Sequence, residues 1–314
     1  MPIFKPNLET TMTRRIIILA TALCLPALSA CNEQTKRPPA AAKFSTPAGL
    51  IEYLSPLPAV QKVEPWQNDY AQGITITTAH YTIHTTLMDP LMLRQVPGFM
   101  ESAYRAYQSQ LPEPIDTKIK FRTYLFADRA QWEQFTKGFA APHANLYLKI
   151  VKGAYCLKGR CVAYNIGRTR TFAVLGHEGW HQFNSRHFVY RLPSWLDEGI
   201  ATLFETSRYY QGGFEFLPGR NGGRLGSLKT ALLADRMIPL TTLITLNPGQ
   251  VVESPNAVKA YYAQSYALVR FLREADYGKR LVNYHNLLLA GLRGNWPLDP
   301  AIRQLASDRN IPLT

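Results

Sequence analysis

The segment Thr171-Phe-Ala-Val-Leu-Gly-His177-Glu178-Gly-Trp-His181-Gln-Phe183 writes H-E-x-x-H into a run whose apolar residues recur at helical spacing. On an α-helix, positions i and i+4 share a face. His177 and His181 therefore project side by side and could offer two imidazole nitrogens to one Zn²⁺ at about 2.0–2.1 Å, with Glu178 beside them as a base. The next segment, Leu192-Pro-Ser-Trp-Leu-Asp-Glu198-Gly-Ile-Ala-Thr-Leu-Phe-Glu205, reads as a second helix and brings a carboxylate, Glu198. Ser194 is the expected N-cap, with Asp197 three residues on and Glu198 in the first turn. Two histidines and a glutamate make a three-ligand zinc set that leaves a fourth position for water, the arrangement of a catalytic rather than a structural site.

These residues resemble the gluzincin metallopeptidases, in which H-E-x-x-H is followed by a ligand glutamate, and most closely their peptidase MA-like branch with its second block P-x-W-L-x-E-G-x-A. Here that block is Pro193, Trp195, Leu196, Glu198, Gly199 and Ala201, and Tyr262-Ala-Gln-Ser265 is similar to the branch's downstream tyrosine helix. The likeness covers roughly residues 75 to 290. It implies an α+β, zincin-like metallopeptidase fold: an N-terminal mixed β-sheet with helices, then a mainly helical C-terminal part. It also implies Zn²⁺ on His177, His181 and Glu198, Glu178 as general base, and Tyr262 as oxyanion donor on a helix from about Asn256 to Ala275. Tyr261 and Tyr266 neighbour Tyr262, and the alternative that all three only pack that helix stays open. One position departs from better-known gluzincins, which often place an Asp four residues after the ligand glutamate to orient a histidine; this chain has Thr202 there.

The expected activity is zinc-dependent hydrolysis of peptide bonds in peptide or protein substrates. Two other readings are retained: a non-catalytic binding or assembly lipoprotein on a peptidase-like fold, and a zinc amidase acting on a cell-wall substrate. Zinc content separates the first from an enzyme and substrate assays separate the second. Presence of both histidines, Glu178 and Glu198 favours the enzyme.

Residues 12 to 31 read Met-Thr-Arg-Arg, then an apolar run from Ile16 to Leu28, then Ser29-Ala30-Cys31. This is the pattern of an export signal over residues 1 to 30, with Met12 as the better start, and the run is short for a membrane span. Leu28-Ser29-Ala30-Cys31 resembles a bacterial lipobox, in which the cysteine is lipidated. The alternative is an ordinary signal peptide with Cys31 incidental. Residues 31 to 45 are polar and rich in Pro and Ala, the composition of a tether. Residues 46 to 314 are then expected to form the peptidase domain, a sheet subdomain over about 46 to 169 and a helical one over about 170 to 314. The expected location is the cell envelope, lipid-anchored, facing the periplasm from the outer membrane if the host is Gram-negative.

An exported pair five residues apart, Cys156 and Cys161 with Lys158-Gly159 between them, suggests a hairpin closed by a disulfide rather than a metal site. The chain carries a net charge of +13. Lys5, Arg14 and Arg15 against Glu9 fall in the first thirty residues, so +11 remains after them. Such a field favours anionic surfaces, unless the charge is evenly spread and serves solubility. Nucleic acid is disfavoured because no binding motif is recognisable.

Read coarsely, the pattern predicts a strand over 74–86, a helix over about 90–110, a strand over 117–126, a helix over 129–139 and a hairpin within 146–166, with mainly helix after 170. In the second strand Ile119, Phe121, Thr123 and Leu125 alternate with Lys118, Lys120 and Arg122 until Tyr124 and Phe126 break the pattern. The glycine-rich stretch 211–224 reads as a loop. His80, His84, His143, His187 and His285 have no ligand spacing with a carboxylate.

Overall fold

The computed structural model describes residues 44–115, 117–150, 153–246 and 254–293. The signal, Cys31 and most of the tether lie outside them. Helix α1 (Pro47–Leu54) begins where the Thr46 hydroxyl accepts from the Gly49 N–H at 3.2 Å and Pro47 takes a position that needs no donor. Strands β1 (Lys62–Pro65), β2 (Ile74–Thr77) and β3 (Tyr81–Thr85) form an antiparallel meander. The single strand expected over 74–86 is thus two strands. Its turn is fixed from outside: Thr78 Oγ1 donates to Glu101 at 2.6 Å, and the His80 N–H donates to the same carboxylate at 2.9 Å.

The helix expected over 90–110 is divided into α2 (Pro90–Leu93) and α3 (Val96–Gln108). Pro97 lacks the N–H that would bond back to Leu93, and its ring clashes with that carbonyl, so no helix runs through it unbroken. Strand β4 (Phe121–Phe126) and helix α4 (Arg129–Phe139) follow, the latter capped by Asp128 and spanning the expected residues. After the short α5 (Ala144–Leu148), strands β5 (Ala154–Leu157) and β6 (Arg160–Tyr164) close a hairpin through Lys158 and Gly159, both at positive φ (52° and 67°) as a type I′ turn requires.

The six strands make one mixed sheet in the order β1-β2-β3-β4-β6-β5, parallel at β3–β4 and β4–β6 and antiparallel elsewhere. Both faces of β4 are covered, which is why its alternation fails. Phe121 and Leu125 join the main core, while Tyr124 and Phe126 pack with Trp132, Tyr155, Val162 and Tyr164 under α4.

Past the sheet come α6 (Arg168–His187), α7 (Ser194–Ala201), a 3₁₀ turn (Thr202–Phe204), the hairpin β7 (Ser207–Tyr210) and β8 (Gly213–Phe216), α8 (Gly222–Leu233), α9 (Leu240–Leu243), α10 (Pro255–Glu274) and α11 (Leu281–Arg293). The stretch 211–224 is therefore not one loop. Gln211 and Gly212, at φ 48° and 81°, turn the β7–β8 hairpin, and Asn221 caps a helix that starts on the next glycine pair. The architecture is α+β, with one main apolar core running from Leu50 to Leu288.

Cys156 and Cys161 face each other across β5 and β6, yet both are free thiols, so the expected bridge is not made. Burial raises both thiols, Cys156 to about 12 and Cys161 well above the ordinary thiol value.

Candidate metal centre

Helix α6 is held in one rotational setting by what touches its glycines. A Cβ at Gly176 would come within 2.4 Å of the Phe204 carbonyl oxygen, and one at Gly179 within 2.3 Å of the Tyr107 hydroxyl. Tyr107 donates instead to the Gly176 carbonyl at 2.7 Å. Phe172, Leu175, Trp180 and Phe183 are buried in the core, and the face left over carries His177 and His181.

Helix α7 starts at Ser194 itself, with Pro193 as the capping residue and no side-chain cap, so Glu198 lies in the second turn rather than the first. Trp195, Leu196 and Ile200 anchor α7 in the core, and Gly199 lies against α10, where a Cβ would stand 2.5 Å from the Ser265 carbonyl oxygen. This packing turns Glu198 toward the histidines.

The three donors converge. His177 Nε2 lies 3.2 Å from Glu198 Oε2, His181 Nε2 lies 3.4 Å from it, and the two Nε2 atoms are 3.3 Å apart. Tetrahedral Zn²⁺ with ligands at about 2.0–2.1 Å requires donor separations of about 3.3–3.4 Å. Two ring nitrogens aimed at one point repel each other unless a cation or a shared proton lies between them, so the donor set fits a divalent metal. Among the described residues this is the cluster of His, Cys, Asp and Glu side chains able to hold one.

The far side of each ring is also held. His177 Nδ1 lies 3.0 Å from Glu205 Oε1, and His181 Nδ1 lies 3.2 Å from Asp197 Oδ2. Asp197 in turn accepts from Trp180 Nε1 at 2.8 Å and Asn184 Nδ2 at 2.9 Å. Glu205 accepts from Arg224 Nε at 2.9 Å and Nη2 at 2.5 Å, and from Asn221 Nδ2 at 2.8 Å. Each carboxylate holds its imidazole through Nδ1, which turns Nε2 toward the position a metal would take. Thr202 does none of this, because its hydroxyl donates to the Gly199 carbonyl at 2.6 Å.

The electrostatics follow from crowding carboxylates round two imidazoles. Burial opposes charge on His177, but the hydrogen bonds it donates to Glu198 and Glu205 outweigh this and raise its pKa to about 9. For His181, burial is overcome by Asp197 and Glu198, and the pKa lies well above the ordinary value. Glu198 is driven well below the carboxylate range by His181 and His177 despite burial. Glu178 goes the other way, since burial raises its pKa more than the two histidines lower it.

Two cavities meet at Glu178, the residue common to both linings. One, of about 510 Å³, is bounded by Gly153 and Ala154 next to edge strand β5, by His177 and by Arg224 and Tyr262; the other, of about 480 Å³, is bounded by Cys156, His181, Asp197 and Tyr190. The three neighbouring tyrosines separate here. Tyr266 Oη donates to the Pro218 carbonyl at 2.6 Å and Tyr261 Oη to Leu246 at 3.4 Å, whereas Tyr262 lines the cavity with its ring 6.2 Å from that of His177 and under the Arg224 guanidinium at 4.9 Å. Burial, then Glu198 and Glu178, raise the pKa of the Tyr262 phenol, which stays protonated at neutral pH.

Glu205, Asn221 and Arg224 are not singled out by the sequence, and Asp197 enters there only as the capping partner of Ser194. A spacing signal existed for Glu205, which stands seven residues after Glu198 and hence on the same helical face. No family model, curated protein or solved structure matches this chain.

Proposed function

We propose that this protein is an exported zinc-dependent peptidase of the gluzincin type with a zincin-like fold, hydrolysing peptide bonds. The observation that carries the reading is the triangle of His177 Nε2, His181 Nε2 and Glu198 Oε2 at 3.2–3.4 Å, with the outer ring nitrogens tied to carboxylates. Zn²⁺ held there would supply Lewis-acid activation of water and of the scissile carbonyl. Glu178, at the junction of the two cavities, takes the proton of the attacking water and delivers it to the leaving amine. Its raised pKa suits a carboxylate that must hold that proton in transit. Tyr262 donates its phenolic proton in a hydrogen bond to the oxyanion, and Arg224 keeps the ring in place from above.

Metal analysis of the purified protein, together with turnover of a mixed peptide library, tests this. His177→Ala, His181→Ala and Glu198→Ala should lose zinc and activity together. Glu178→Gln should keep about one zinc per chain and lose roughly 10²–10⁴ in turnover. Tyr262→Phe should keep zinc and lose about 10²–10³ in kcat. Peptide hydrolysis surviving Glu178→Gln would exclude the mechanism, and a wild-type chain without zinc would exclude the enzyme.

A further inference from the structure

Helix α8 (Gly222–Leu233) carries three of its four leucines on the wrong side for a helix of a globular core, Leu228 being half-buried. Leu225, Lys229, Leu232 and Leu233 stand at i, i+4, i+7 and i+8, and so share one face. That face is open to solvent: Leu225, Leu232 and Leu233 are 40%, 65% and 76% exposed. The opposite face holds buried Ala231 and the Arg224 that pairs with Glu205. The exposed apolar run continues past the helix through Met237, Leu240 and Ile244.

The charge around it is mainly basic. Between Pro218 and Leu246 the chain has Arg220, Lys229 and Arg236, apart from the inward Arg224 that Glu205 neutralises, against Asp235 as the sole acid. Exposed leucines interleaved with basic side chains fit the boundary of an anionic bilayer, where the leucines enter the headgroup and acyl region while Lys and Arg reach lipid phosphates. A second copy of this chain fits poorly, because a two-fold contact would set basic patch against basic patch.

We propose that the outer face of α8 and the segment following it through Ile244 dock on anionic phospholipid, independently of any N-terminal anchor and of hydrolytic activity. The docked face is the back of the helix that supplies Arg224 to the metal centre. A bilayer there stands one helix thickness, about 10 Å, from that side chain, and favours substrates presented close to the membrane surface.

Hydrogen–deuterium exchange of the full chain decides this. It is compared on vesicles of equimolar phosphatidylglycerol and phosphatidylcholine and on pure phosphatidylcholine. Because the N-terminal segment is present in every sample, the readout is contact at 225–246 rather than attachment as such. Amides over 225–246 should exchange roughly fivefold or more slowly on the anionic vesicles, with those of Pro90–Leu93 unchanged. The exposed-face double variant L232E/L233E should abolish that protection. K229E/R236E, which leaves the leucines intact, should weaken it while β4 and α3 amides keep their wild-type rates. Equal exchange on both vesicle types would overturn the proposal. So would protection that appears in concentrated protein without vesicles, the mark of self-association.

Discussion

Glu205 orients the first histidine from an unexpected position. The position four residues after Glu198 holds Thr202, whose hydroxyl is committed to its own helix, and Glu205 reaches His177 Nδ1 from the end of the 3₁₀ turn instead. A bidentate arginine and Asn221 hold that carboxylate ionised against its burial. Glu205→Gln keeps the size of the side chain but weakens the acceptor and loses the arginine pair. Zinc affinity should fall about 10–100-fold, measured by competition with a chromophoric chelator. An unchanged affinity would reduce Glu205 to a packing role.

At the level of elements, the contact between α7 and α10 delivers Glu198 to the centre, and Gly199 is what allows it. In an exposed helix, Gly→Ala stabilises by roughly 1 kcal/mol. Here the new Cβ would stand 2.5 Å from the backbone oxygen of Ser265 and 2.6 Å from Val269, and a backbone atom cannot rotate away. Gly199→Ala should therefore destabilise by about 1–3 kcal/mol in urea unfolding, with weakened zinc binding as α7 moves. A stabilised variant would show that the two helices yield freely.

Across the whole molecule, stability should follow pH through a group far from the metal centre. His84 lies between Trp66 and Tyr124, its ring 5.2 and 5.0 Å from theirs, with Nδ1 3.0 Å from Thr75 Oγ1. Burial, then Arg122 and Arg160, lower its pKa from 6.5 to about 4. The unfolded chain binds the proton near 6.5 and the folded chain resists it, so this contribution is complete above 6.5 and is lost as the pH falls toward about 4. Urea midpoints should decline over that window, and His84→Phe should flatten the decline. The proposed placement in the cell follows from Cys31 and its lipobox-like context; Cys31→Ser in the L232E/L233E background should release the protein from membranes, whereas L232E/L233E alone should stay anchored, and a double-site variant that still fractionates with membranes would remove the lipid anchor from the reading.

What the sequence determined by itself was whatever depends on neighbours along the chain. His177 and His181 share a face because four residues advance a helix by about one turn, Lys158-Gly159 makes a hairpin because its glycine tolerates positive φ, and Arg129–Phe139 reads as a helix from its own residues. Only the tertiary structure decided which of Tyr261, Tyr262 and Tyr266 lines the cavity, that Asp197 and Glu205 hold the rings, and that β4 is covered on both faces. Those outcomes depend on how α7, α8 and α10 pack against α6 and how α4 covers the sheet, contacts between segments tens of residues apart for which local spacing carries no record.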